Sequence, residues 1–293
     1  MAQPIHLGIS TCPNDTYAFA GILLGAVDTE GLAFEIELLD IAELNQRVCA
    51  GDFDVAKVSF SAALGLTDEA VVLPVGAALG YGVGPLLLAA RPGVAPDRFD
   101  GGSERGAPPR VLCPGPSTTA TMLYRMFYPQ GPEPQHVVFS EIMPALAERR
   151  ADFGVCIHEG RFTWESQGLH RVEDLGERWE RTTGCPLPLG GIVARRRLGD
   201  VLDPVVRAIA RSLAYADGHR AQALAVMKTH AQEMADSVIW GHVELYVNQR
   251  TRHLGPDGEA ALKTLHRIAH SSGFLRQDAP PLTVWGRANT ATP

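Results

Sequence analysis

"GYGVGPLLLAARPG", residues 80–93, decides between two architectures. Its three leading glycines invite comparison with a dinucleotide-binding fingerprint, but that motif follows a strand and opens a helix. Here the glycines precede an apolar strand, so they read as a hinge or close-packing feature. A second Gly/Pro-marked strand lies in "CPLPLGGIVARRRLG", residues 185–199. Two such strands, over 80–90 and 186–196, are expected to cross between two lobes.

On either side of the first crossing, apolar strand patterns alternate with helical ones. "IHLGIS" (5–10), "AFEIELLD" (33–40) and "DVAKVSF" (54–60) read as strands. "TYAFAGILLG" (16–25), "AELNQRVCAG" (42–51) and "SAALGLT" (61–67) read as helices. A βαβαβα rhythm with short connections predicts a mainly parallel, doubly wound sheet. The alternation resumes after a polar Gly/Pro-rich excursion over 91–109. "RVLCPG" (110–115), "HVVFSE" (136–141) and "DFGVCI" (152–157) are predicted strands, with helices over 117–128 and 142–151. Beyond residue 200 apolar residues recur at helical spacing, as in Val205, Ile209 and Leu213, and Asp203, Asp236 and Asp257 are expected N-caps. The expected domains are a discontinuous lobe of 1–86 and 192–293, carrying the C-terminal helices, and a second lobe of 87–191. A cleft between lobes is the natural ligand site.

Bulk properties exclude several functions. A net charge of −7 over 293 residues argues against a nucleic-acid surface. No window approaches the roughly 18 apolar residues of a membrane span. The start "MAQPIHLGIS" lacks a basic, then apolar, leader pattern, which predicts a cytoplasmic protein. Cys12, Cys49, Cys113, Cys156 and Cys185 are odd in number and contain no CxxC pair, so free thiols in a reducing compartment are expected. No metal-ligand spacing and no phosphate-loop or GxSxG pattern is present, so no metal or organic cofactor is expected.

Three segments share the layout of strand, small polar turn and helix: "GISTCPNDTYAF", "AKVSFSAAL" and "LCPGPSTTATML". Hydroxyls and backbone N–H groups meet there at helix N-termini, which suits an anionic group. Ser59, Ser61, Ser117, Thr118 and Thr119 are the candidate contacts, although each alone could simply cap its own helix. Asn14 and Asp15 read equally as an Asx turn or as a group orienting a substrate hydroxyl. Lys57 lies on the same side of its strand as Ser59 and could meet a substrate anion.

In "VCIHEGRFTW", residues 155–164, His158 stands where a strand runs out, and a strand end delivers its last side chains to the crevice. A neutral imidazole can accept a proton near neutral pH. A hydrogen-bonded structural histidine fits this segment equally well. Glu159 should point the opposite way, with Arg161 pairing to fix the loop.

"STCPNDT", "AKVSFSAA", "GYGVGPLL", "PGPSTTA", "IHEGRFTW" and "LPLGGIVARR" occur in this order. Together they resemble the 1,4-dihydroxy-6-naphthoate synthase family of the futalosine route to menaquinone. The resemblance implies an α/β, two-lobed fold of the type II periplasmic-binding-protein kind with a helical C-terminal segment. It also implies a lyase acting on cyclic dehypoxanthine futalosine, a small-molecule carboxylate. His158 matches the family's proposed proton acceptor. Lys57, Val58 and Ser59 match a substrate-contacting strand, and Thr119 and Ala120 match a helix start. Ser117 stands where the family has a histidine. The resemblance implies no metal or organic cofactor. Alternatives are a non-catalytic solute-binding protein of this architecture, a chorismate dehydratase of the same route, or a ligand-sensing regulator with an added DNA-binding domain. The helical tail could provide a homodimer face or could simply be core.

Overall fold

The structure, a computed structural model, describes residues 3–98, 108–158, 160–231 and 235–286. Glu159 and much of the 91–109 excursion lie outside the described residues. Eleven strands occur among them: β1 (Ile5–Ser10), β2 (Phe34–Leu39), β3 (Val55–Ser59), β4 (Ala70–Val72), β5 (Ala78–Gly80), β6 (Leu86–Ala89), β7 (Val111–Cys113), β8 (Gln135–His136), β9 (Phe153–Cys156), β10 (His170–Asp174) and β11 (Leu187–Arg195).

They form two sheets. The first has the order β2-β1-β3-β11-β4, with β5 also paired to β11. β1 runs parallel to β2 and β3, as the helical connections demand, and β11 is antiparallel to β3. All five residues of β3 are buried, which is what an interior strand covered on both faces requires. The second sheet has the order β10-β6-β9-β7-β8.

Residues 81–85 carry the chain from β5 in the first sheet to β6 in the second. Here the glycine run has a packing reason. A Cβ on Gly84 would lie 2.2 Å from the Cα of Gly176, the second residue of helix Leu175–Thr183. Only a bare backbone fits. The return is made before β11, through that helix, because β11 pairs along its length within the first sheet.

The largest apolar cluster joins both sheets, packing Val58, Leu87, Phe153, Trp179 and Leu187 together. A second cluster buries the predicted stripe Val205, Ile209 and Leu213 against Leu7, Ile9 and Phe19 of the first sheet and its helices. The tail's apolar stripe is therefore core.

Several local expectations fail for identifiable reasons. The helix expected over 16–25 is two short ones, Pro13–Ala18 and Ala20–Leu23, broken at Phe19 (φ −98°, ψ 4°). The one expected over 61–67 is the single turn Phe60–Ala63. The strand expected over 136–141 ends at His136; Val138 instead takes the extended geometry of an N-cap for helix Phe139–Ala147. Asp203, Asp236 and Asp257 sit in the first turns of helices Leu202–Gly218, Asp236–Tyr246 and Gly255–Ser271, one or more residues past the caps. There they still oppose the positive end of the helix dipole. β10 and helix Leu175–Thr183 lie where the sequence reading assigned no element, although Asp174 before the helix and Gly184 after it are local capping signals. No described helix is long and apolar enough to cross a membrane.

Candidate functional site

One cavity collects the ends of β1 and β3, the starts of helices Pro13–Ala18 and Thr119–Phe127, and the segment after β9. Lys57, Val58 and Ser59 line it from β3, and Asn14 and Asp15 from the first helix. Thr118, Thr119 and Ala120 line it from the second helix start, and His158 from the second sheet. Ser61 and Ser117 are not among its lining residues. The Ser61 N–H points to Thr119 Oγ1 at 3.4 Å, and the Ser117 carbonyl accepts from Asn45 at 3.4 Å.

The first-sheet side is a knit of buried polar groups. The Lys57 ammonium donates to Asp15 Oδ1 (2.5 Å) and to the Gly76 carbonyl (3.1 Å). Lysine has three donors, so one remains beyond these two bonds. Ser10 Oγ donates to Asp15 Oδ2 (2.5 Å) and the Asn14 amide to Asp15 Oδ1 (2.7 Å). Asp15 is thus the hub of an internal network, and Lys57 is chiefly its counter-ion. Asn45, 1% exposed, accepts from the Ser59 N–H (2.9 Å) and donates to Ser59 Oγ (3.0 Å). That leaves the hydroxyl proton of Ser59 as a donor for the cavity.

At the other helix start, the side chain of Thr118 caps its own helix, accepting from the Thr121 N–H (3.2 Å) and donating to the Gly115 carbonyl (3.1 Å). Thr119 Oγ1 donates to the Leu189 carbonyl (2.7 Å). These hydroxyls are occupied by the protein. The groups the helix itself does not satisfy are the first-turn N–H groups, Thr119 and Ala120 among them.

His158 has a left-handed backbone (φ 55°), uncommon for a residue with a Cβ. Its ring lies 4.7 Å from Phe139 and stacks nearly parallel to His242, at 5.9 Å and 6°. Cys12 Sγ lies 3.1 Å from Nδ1 and 3.6 Å from Nε2. One sulfur cannot lie along both nitrogen lone pairs, so the thiol abuts the ring as a whole. Arg161 anchors the following turn by donating to Asp174 Oδ2 (2.6 Å) and to the Gly84 carbonyl (2.6 Å). The charge pairing expected of Arg161 is thus made to Asp174, which also caps helix Leu175–Thr183.

Sequence reading missed Cys12, Asn45, His242 and Tyr246. His242 and Tyr246 share a buried helix face with Ile239 and Val243. A polar residue on that apolar stripe was the signal available. The His242 Nε2 meets Asn14 Oδ1 at 2.8 Å, and burial, then His158 and Lys57, holds its pKa well below the usual histidine range. Burial also pushes the Cys113 thiol up to about 12 and raises Cys156, so neither is a ready nucleophile. Among the described residues no group of three or more His, Cys, Asp or Glu side chains is arranged to hold a metal.

Comparison with known proteins shows what the chain is similar to. The chain is 40% identical over 283 residues to a 1,4-dihydroxy-6-naphthoate synthase of Thermus thermophilus, covering 96% of this chain and all of that one. It is 38% identical over 281 residues to one from Streptomyces coelicolor, covering 94% and 95%. A crystal structure of a protein from Archaeoglobus fulgidus superposes with a TM-score of 0.85 at 29% identity, over 93% of this chain and 98% of that one. The ligand-binding component of an ABC-type import system from Staphylococcus aureus superposes at 0.66 and 14% identity, over 96% and 94%, which shows a shared periplasmic-binding-protein-like fold. A family model described as menaquinone biosynthesis matches residues 5–271. With relatives matched end to end and a family model spanning nearly the whole fold, the chain belongs to the menaquinone-biosynthesis family.

Proposed function

We propose that the chain is a cytoplasmic carbon–carbon lyase that converts cyclic dehypoxanthine futalosine to 1,4-dihydroxy-6-naphthoate, with His158 as general base. The observation that carries the reading is the placement of His158 in one cavity with Lys57, Ser59 and the helix start at Thr119. The relatives' activity supports the same choice of reaction.

The substrate's aromatic carboxylate is suited to the first-turn N–H groups of Thr119 and Ala120 and to the Ser59 hydroxyl, which offer hydrogen bonds and the positive helix end. The Lys57 charge is largely compensated by Asp15 and adds a background field. His158 accepts a proton from the ring undergoing cleavage, and the bond to the sugar-derived fragment breaks with its electron pair going to the fragment. The fragment takes up a proton in turn, and the aromaticity gained by the bicyclic product drives departure. A positioned base of this kind contributes roughly 10²–10⁴-fold in rate.

His158→Ala and His158→Asn test the assignment through turnover and substrate affinity. The expected outcome is a kcat lowered by about 10²-fold or more with affinity retained. Near-wild-type turnover in both variants would remove His158 from the mechanism. Product from chorismate, with none from the cyclic substrate, would replace the proposed reaction altogether.

A further inference from the structure

The cavity's buried polar atoms are bonded to one another, with an exception on His242. Its Nδ1 finds no hydrogen-bond partner among the described residues. The residue is 1% exposed and lines the cavity from helix Asp236–Tyr246. Which nitrogen carries the proton follows from the network. An ionised Asp15 carboxylate only accepts, so it takes the Asn14 NH₂ (2.7 Å), and Asn14 Oδ1 is thereby turned to His242. That oxygen also only accepts, so Nε2 is the protonated nitrogen. Burial first, then His158 and Lys57, oppose protonation of the ring and keep it neutral. Nδ1 is therefore a buried lone pair with no protein donor among the described residues, a state that costs free energy until one arrives.

We propose that His242 Nδ1 is the acceptor for a neutral hydroxyl of the ligand, and that Asn14 is the positioning residue that fixes it in the accepting tautomer. A carboxylate would meet the lone pair with like charge, and an ammonium would add a second cation beside Lys57. Resting on the proposed reaction, the hydroxyl belongs to the sugar-derived part of cyclic dehypoxanthine futalosine, the part left over once the carboxylate occupies the helix start. The stacking of His242 on His158, with ring centroids 5.9 Å apart, sets a hydroxyl bound at one ring close to the base. His242 thereby orients the scissile bond.

Three variants separate this role from a structural one. His242→Gln keeps a donor for Asn14 Oδ1 and lacks an acceptor at the δ position. His242→Asn keeps the acceptor and loses the donor, and His242→Phe has neither. KM for the cyclic substrate is expected to rise about tenfold in the Gln and Phe variants, with Tm near wild type for Gln. The Asn variant should recover part of the affinity despite a lower Tm. A wild-type KM in His242→Gln, or an Asn variant as weak as Phe, overturns the proposal. Failure of the wild type to turn over this compound would instead sink the substrate assignment. Nitrogen-15 NMR of the unliganded protein then decides separately: a neutral Nε2–H ring at neutral pH supports the accepting role, and an Nδ1–H or protonated ring there overturns it.

Discussion

The two walls of the cavity are built on different principles. On the first-sheet side, Ser10, Asn14, Asp15, Lys57, Asn45 and Ser59 come from separate strands and helices, and their polar groups are bonded to one another. On the second-sheet side, beside the helix start at Thr119, an imidazole is presented by a residue in left-handed backbone, between a four-residue strand and the short helix Gly160–Thr163. A left-handed conformation at a residue with a Cβ costs about 1–3 kcal/mol, and surrounding structure must over-determine it. That structure is Phe139, Cys12 and the Arg161 anchor. Under the proposed reaction the contrast separates two tasks: a rigid, internally bonded frame, and a base held on a strained turn.

The frame can be broken at its hub. Asp15→Leu leaves the Lys57 ammonium buried without its counter-charge and strands the Asn14 amide. It should lower the free energy of unfolding by about 3–5 kcal/mol in urea titrations. Adding Lys57→Met to it should recover most of that loss, because the uncompensated charge is then gone. A single-variant loss below about 1 kcal/mol would mean that the ion pair is water-filled and the wall is no rigid frame. The turn is tested by Gly84→Ala. The new methyl group must displace the backbone at Gly176, at an expected cost of about 1–3 kcal/mol. Because Asp174 and Gly84 both hold Arg161, kcat should fall more than KM rises. A fall in affinity alone would show that the turn belongs to binding.

The same contrast explains what the sequence made legible. Strand ends followed by small polar turns were readable because period-2 runs and capping residues are local signals, and β1, β3, β9 and β11 appear where those signals stand. The cavity's first-sheet residues follow, since a strand end in an α/β sheet has few places to point. The chemistry of those residues was less visible. Thr118 and Thr119 read as anion contacts, yet their hydroxyls are taken by Gly115, Thr121 and Leu189. Lys57 read as a free cation, yet its partner Asp15 is 42 positions away. His242 could not be joined to Asn14 across 228 positions by any periodicity. A helical face predicts burial, not which strand it covers. Pairings of this range are set by tertiary packing, and single-sequence patterns carry no record of them.

The smallest effect separates the walls by pH. In the folded state His242 stays neutral because burial, His158 and Lys57 all oppose its protonation. In the unfolded chain it titrates near the ordinary histidine value of about 6.5. Above that value neither state binds the proton, and the folded state suffers no penalty. As pH falls below it, the unfolded state takes up a proton the folded state refuses, so stability is lost toward the acid side. One such group gives a slope of at most about 1.4 kcal/mol per pH unit. The wild type should therefore lose about 1 kcal/mol more than His242→Gln between pH 7.5 and 5.5 in urea unfolding. Groups common to both proteins cancel in that difference, His158 included so long as its turn is unchanged. Equal losses in the two proteins would mean that His242 takes up its proton inside the fold. The frame on that side would then be open enough to solvate a charge, and the division between a buried, internally bonded wall and a strained turn would fail at the ring where the two meet.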